Sequence, residues 1–402
     1  MGKRILLIIP ELTTGGAQRS LAKLSLMLAL QHEVGIVIFN NKSGIAYQHG
    51  GTLLHLDVDA GSGVIGKTRA LLKRIRRLRE IKRRFRADVA ISFLEGADYI
   101  NILSRGKEKI VLSVRGSKHH DETIAGSFPW IRNKVLIPLL YRRADAIVTV
   151  NQGIARELLD YGLEKVPRIT ISNFYDSIEI LSQALERRDD ALDALYQDQV
   201  LITTGRLAPE KGLAPLIRMF AALKKKYPRL RMVLVGDGPL RRDLVRLSAN
   251  LGLITHEGHG WTITPDVVFA GNQSNVYQYL RGAKLYLMNS SSEGFPNGLA
   301  EAMICGVPVV AADCPYGPRE ILAPEIPFQS SFTRPYLSQN GILMPMIRTA
   351  ADEAVWVEIL DDVLVKEELL SQLAEKARAR IGLFDRDNIL AQWHHIITGN
   401  KA

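Results

Sequence analysis

Ten short apolar runs, each followed by a helical pattern, constrain this chain more than any other feature. RILLIIP, VGIVIFN, DVAISFL, KIVLSV and DAIVTVN fill the first half; QVLITTG, RMVLVGD, DVVFAG, KLYLMNS and VPVVAAD fill the second. Strands that are apolar almost throughout lack the in–out alternation of a sheet with one wet face. They call for a parallel sheet covered by helices on both sides, an α/β architecture of the doubly wound kind. The theme occurs twice, so the expectation is two Rossmann-like domains, which suits a length of 402 residues. The first closes near ITISNFYD, and the charged stretch ALERRDDALDALYQDQ separates it from the second. Doubly wound sheets bind ligands beyond the carboxyl ends of their strands, so two facing domains predict a cleft there.

Composition narrows the function. No run of about 18 apolar residues occurs, so no membrane-spanning helix is expected. The start, MGKRILLIIPEL, reads as a first buried strand rather than a signal peptide. Two cysteines, Cys305 and Cys314, form no metal-ligand pattern, which fits a reduced, cytosolic compartment. The formal net charge of +10 favours an anionic partner: nucleic acid, acidic lipid or a phosphorylated substrate.

The chemistry concentrates in the second half. SSSEGFPNGLAEAMICGVPVVAAD reads as a loop entering a helix that Gly306 and Pro308 end before the next strand. Free N–H groups at such a helix start hold anions, helped by the dipole. Gly294 and Gly298 permit close approach of a ligand to the backbone. Glu301, about one turn into the helix, suits the two hydroxyls of a ribose, and Glu293 in the loop suits sugar hydroxyls. In TGRLAPEKG, Arg206 and Lys211 lie between a strand and a helix, a guanidinium and an ammonium suited to a diphosphate. VGDGPLRRDL adds a glycine-rich turn with Gly236 and Gly238, which alone says little. In the first half, PELTTGGAQRSLAKL places Gly15 and Gly16 where the first strand turns into a helix.

The order GGAQRSL, SNFYD, GRLAPEKG, GDGPL, VVFAG, SEGFPNGLAEAM with CGVPVVAAD, and GPREI resembles the family 4 retaining glycosyltransferases of the GT-B fold, over essentially the whole chain. The CPYGPREIL variant resembles the subgroup that builds bacterial surface polysaccharides and glycolipids, N-acetylgalactosamine transferases among them. The resemblance implies roles. Arg206 and Lys211 would hold the donor diphosphate and, with Glu293, form the catalytic set. Gly15, Gly16, Gly236, Gly238, Gly294, Phe295, Asn297, Gly298, Leu299 and Glu301 would line the donor, with Glu301 on the ribose. The tail would cross back, giving an acceptor-side domain of residues 1–178 plus 384–402 and a nucleotide-sugar domain of 179–383. It implies a UDP-sugar donor, no catalytic metal or other cofactor, a glycan or polyprenyl-diphosphate-linked acceptor, and front-face attack with the donor phosphate taking the acceptor's proton. Where many relatives carry a histidine after the fourth strand, this chain reads VLSVRGSKHHDET, so Arg115, His119 and His120 are the acceptor-side candidates.

Two features invite other readings. GSGVIGKT, residues 61–68, fits the phosphate-loop pattern and would make the chain an NTPase or NTP-dependent regulator through Lys67 and Thr68. Against it, the preceding run TLLHLDVD alternates with polar residues, whereas a phosphate-loop strand is central and apolar. A nucleotide-sugar hydrolase or epimerase of the same fold is the other alternative. The following helix, 67–86, is almost wholly basic. Leu71, Ile75, Leu78, Ile81 and Phe85 space as one buried stripe. Its charge is either a solvated face or a seat on an anionic membrane surface, which would put the protein at the inner face of the cell membrane. No aromatic residues interleave the basic run, so nucleic acid is not expected.

Overall fold

Each of the ten apolar runs becomes a buried strand. The structure, a computed structural model, describes residues 2–399 apart from 14, 43, 120–127, 259 and 329–332. The chain forms two compact units, Met1–Phe174 with Arg386–Ala402, and Tyr175–Asp385.

The first unit is built on β1 (Arg4–Ile9), β2 (Glu33–Ile38), β3 (Thr52–His55), β4 (Val89–Phe93), β5 (Lys109–Val114), β6 (Ala146–Thr149) and β7 (Arg168–Thr170), in the sheet order β3-β2-β1-β4-β5-β6-β7. All neighbours are parallel. One face of this sheet buries the helix Gly16–Leu28 and the last helix, Arg386–Thr398, whose Ile389, Trp393, Ile396 and Ile397 enter the core beside Ile91 and Phe93.

The second unit carries β8 (Gln199–Thr204), β9 (Leu230–Val235), β10 (Thr255–Glu257), β11 (Val267–Gly271), β12 (Leu285–Met288), β13 (Val309–Ala312), β14 (Tyr336–Leu337) and β15 (Ile342–Met344), in the order β10-β11-β9-β8-β12-β13-β15-β14. Only the short β14 runs antiparallel, at the edge. Trp356 is fully buried in this core, its indole N–H donating to Pro345 O at 2.8 Å. The helix that carries it, Ala350–Leu364, opens with a capping box between Thr349 and Asp352.

The helix Gly63–Phe85 corrects part of the expectation. Leu78 is buried and Ile75, Ile81 and Phe85 are half-buried, but Leu71 is 38% exposed. The first eleven helical residues, 63–73, bury no side chain, so the apolar stripe meets the unit only from Ile75 onward. Nor are all its basic residues solvated. Arg74 and Arg77 donate to the carbonyls of Val58 and Leu56, and Lys82 is buried against Glu108 at 2.8 Å. The segment 128–141 is mixed in the same way: Arg132, Ile137 and Tyr141 are buried, whereas Trp130, Ile131 and Leu139 are exposed. Among the described residues no helix is long and apolar enough to cross a membrane.

Candidate active site

In the second sheet the chain starts at the centre. Strands β8, β9 and β11 progress to one edge, and β12, β13 and β15 to the other. The loops leaving β8 and β12 therefore diverge, and a doubly wound sheet binds its ligand at such a switch point. The loop leaving β8 holds Arg206 and Lys211. The loop leaving β12 holds Glu293 and runs into the helix Asn297–Ile304, which carries Glu301.

These loops bring two candidate side chains together. Lys211 Nζ lies 2.5 Å from Glu293 Oε1, and the Ser290 hydroxyl donates to the same oxygen at 2.7 Å. The second carboxylate oxygen of Glu293 meets no described donor. Burial alone would lower the Lys211 pKa, but the Glu293 carboxylate outweighs it and holds the ammonium above its ordinary value, charged at neutral pH. Arg206 is exposed and pairs with no described residue. A cation pair, one member fixed and one free to reach, is what an incoming diphosphate requires.

The backbone beneath is rigid for identifiable reasons. Gly212 has φ +57°, and a Cβ there would lie 2.3 Å from Asn289 O. Ser291 N–H donates to Glu210 O at 2.8 Å, which stitches the two loops. Glu293 donates its N–H to Pro315 O at 2.8 Å and accepts from the N–H groups of Tyr316 and Gly317 at 2.9 and 3.0 Å. Gly236 and Gly238 touch the Arg206 loop itself. A Cβ on them would lie 2.0 Å from Gly205 O and 2.4 Å from Leu207 O. Their glycine requirement thus comes from seating that loop.

Helix Asn297–Ile304 presents backbone rather than side chains at its start. Leu299 is fully buried and Phe295 is 7% exposed, packed against Tyr175 and Phe384. Glu301 is 3% exposed, its Oε1 3.5 Å from the Tyr277 hydroxyl.

In the first unit, Gly15 donates its N–H to the Tyr47 hydroxyl at 3.1 Å, and Gly16 opens the helix after β1. Arg115, just beyond β5, donates to the Ser20 hydroxyl on that helix and lies 5.3 Å over the Phe93 ring. Arg115 thereby reaches the second turn of the helix that Gly16 opens.

Models of two glycosyltransferase domains match the chain: glycosyl transferases group 1 over residues 188–380 and glycosyltransferase family 4 over residues 14–177. This protein belongs to the family 4 glycosyltransferases. It is similar to an N-acetylgalactosamine-N,N'-diacetylbacillosaminyl-diphospho-undecaprenol 4-alpha-N-acetylgalactosaminyltransferase of Campylobacter jejuni, 26% identical over 95% of this chain and 96% of that one. An uncharacterised glycosyltransferase of Methanocaldococcus jannaschii is 26% identical over 82% of this chain and 84% of its own. Among solved structures, Anabaena HepE in complex with UDP and glucose superposes with a TM-score of 0.73 at 18% identity, covering 99% of this chain and 100% of that one. Each unit has the parallel-sheet architecture of the GT-B fold.

In this glycosyltransferase GSGVIGKT lacks the structural setting of a phosphate loop. The strand before it, β3, is the edge strand, and the helix already begins at Gly63. Lys67 and Thr68 lie in its second turn, and the Thr68 hydroxyl donates back to Val64 O at 2.9 Å. His119 places its N–H on the Glu157 carboxylate and its ring 5.2 Å from Tyr161, in a loop. His120 lies outside the described residues.

The sequence reading missed a buried charge cluster in the glycosyltransferase's first unit. Glu95, two residues after β4, accepts from Lys118 at 2.9 Å, Arg132 at 2.8 Å and the Tyr99 hydroxyl at 2.6 Å. Burial pushes the Glu95 carboxyl up, but Lys118 and Arg132 prevail and hold it down at about 2. Behind it, burial raises Asp98 to about 7, and Ser92 and Tyr141 donate their hydroxyls to it at 2.7 and 2.8 Å. The available signal was position: a carboxylate two residues after an apolar strand.

Proposed function

We propose that this glycosyltransferase moves a hexose or N-acetylhexosamine from a UDP-sugar, with retention, to a lipid-linked glycan acceptor in bacterial surface polysaccharide or glycoconjugate synthesis. The observation that carries the donor half is the Lys211–Glu293 pair at the switch point, with Arg206 exposed on the same loop as Lys211. Arg206 and Lys211 take the diphosphate, Glu301 takes the ribose hydroxyls, and the unpaired oxygen of Glu293 accepts a sugar hydroxyl. In the transfer, the acceptor oxygen bonds to the anomeric carbon as the bond from that carbon to the phosphate oxygen breaks. The acceptor's proton passes to the departing phosphate. Negative charge grows on the diphosphate, so two cations held beside it lower the barrier without a carboxylate nucleophile or a bound metal. The Campylobacter relative, named for an undecaprenol-linked acceptor and an alpha linkage, supports the acceptor class and the stereochemistry. The basic helix 67–86 would seat the enzyme on the anionic inner face of the cell membrane, where such an acceptor resides.

Calorimetric titration with UDP, GDP, ADP and ATP, with and without magnesium, tests the donor site. UDP should bind without metal, about tenfold or more weaker in Arg206→Ala, since a charge-assisted contact is lost, and unchanged in Lys67→Ala. Magnesium-dependent ATP or GTP binding that disappears in Lys67→Ala would overturn the reading. Turnover with an α-linked UDP-sugar should survive EDTA and give an α-linked product by NMR; a β-linked product refutes retention.

A further inference from the structure

The chain passes between its two units twice, immediately before Tyr175 and immediately after Asp385. Tyr175 N–H donates to Phe384 O at 3.1 Å, and Tyr175 bridges Asp385 in parallel, so the two crossing segments lie side by side. From there the Tyr175 hydroxyl donates to Asn297 Oδ1 at 2.6 Å, at the start of the helix that carries Glu301. Its ring lies 6.3 Å from Phe295, and Phe295 meets Phe384 edge-on at 5.2 Å. Tyr175 is 3% exposed and Asn297 is half-buried. On its other side the Glu293–Asn297 loop has no slack. A Cβ on Gly317 would lie 2.6 Å from Pro296 Cδ and 2.8 Å from Gly294 O. Close-packed parts transmit a displacement rather than absorb it.

We propose that Tyr175 is a positioning residue that couples occupancy of the Gly294–Asn297 loop to the two chain crossings. The inference rests on the reading that this loop holds the nucleotide-sugar. A donor that orders Asn297 and the Gly294–Phe295 backbone then also orders the two crossing segments. Movement at the crossings in turn sets the loop. The coupling is reciprocal, as any linkage between two sites must be.

Hydrogen exchange on the intact chain tests it in two arms. Without nucleotide, Tyr175→Phe, which keeps the ring, should speed exchange at 294–299. Asn297→Ala should speed exchange at 174–176 and 383–386. Effects confined to the substituted segment overturn the coupling whether or not any nucleotide binds. With saturating UDP, the wild type should slow exchange at both crossings. Tyr175→Phe should lose that slowing, keep UDP affinity and donor KM within about threefold, and lower kcat about tenfold, the split expected when a positioning residue rather than a binding contact is lost. Wild-type kcat together with wild-type protection in this variant refutes the proposal. A wild type that binds no UDP counts against the donor reading and leaves the first arm to decide the coupling.

Discussion

Gly298 sets how closely the helix bearing Glu301 approaches β8. A Cβ there would lie 2.3 Å from Thr204 Oγ1 and 2.5 Å from the Tyr286 hydroxyl, neither on a long flexible side chain. Gly298→Ala should therefore cost about 1–3 kcal/mol, the usual range for overpacking, and weaken UDP binding by tilting the helix start. Urea unfolding and calorimetry check the two effects; a variant of wild-type stability shows that the helix can shift freely. The contrast with other residues explains what the sequence made legible. Arg206, Lys211, Glu293 and Glu301 stand out because charged side chains just after apolar strands, or at a helix start, have few structural reasons to be there. That Lys211 and Glu293 would touch was not legible, because the contact depends on β8 and β12 being neighbours. Gly236 and Gly238 announced a tight turn but not what pressed on it. Glu95, Lys118 and Arg132 were overlooked because they come together through tertiary packing, with no shared period along the chain.

At the scale of elements, apolar runs were legible because a strand buried on both faces needs them. The short strands β10, β14 and β15 were not, since two or three residues carry no pattern. The basic helix was misread in part because periodicity identifies a stripe but not how much of it finds a partner. The final helix offers a pH test. His32 Nδ1 accepts from the Lys3 N–H at 3.1 Å, which leaves the proton on Nε2, 3.2 Å from His394 Nδ1. Burial first, and then His394, lowers the His32 pKa below its ordinary value. The folded state thus binds fewer protons at this site than the unfolded chain once pH falls below about 6.5, so this site's contribution to stability falls on acidification. Thermal unfolding between pH 7.5 and 5.5 should show a loss that His32→Gln reduces. An unchanged slope in that variant would place the acid sensitivity elsewhere.

At the scale of the whole molecule, charge is distributed very unevenly. Residues 63–86 hold eleven lysines and arginines against the single Glu80, an excess equal to the entire net charge of +10. The remainder of the chain is balanced, so a long-range attraction to an anionic surface has one origin. Within that segment Arg74, Arg77 and Lys82 are bound inward. Lys67, Arg69 and Lys73 instead stand in the part of the helix that buries nothing, beside Val64, Ile65 and Leu72 at 83%, 70% and 61% exposure. Apolar tips among cations suit the boundary between headgroups and acyl chains, where attraction and insertion reinforce each other. Each basic residue near an anionic leaflet contributes about 1 kcal/mol, so Lys67→Gln, Arg69→Gln and Lys73→Gln together should weaken partition onto phosphatidylglycerol vesicles by about 100-fold. High salt should weaken it too, because the surface field is screened within about 10 Å at 0.1 M. UDP affinity should stay unchanged in the triple variant, since none of the three residues belongs to the donor site. Co-sedimentation equal to that of the wild type would assign the excess charge to something other than a membrane. Binding that survives the three substitutions but fails in Ile65→Ser with Leu72→Ser would show that insertion, rather than charge, anchors the enzyme.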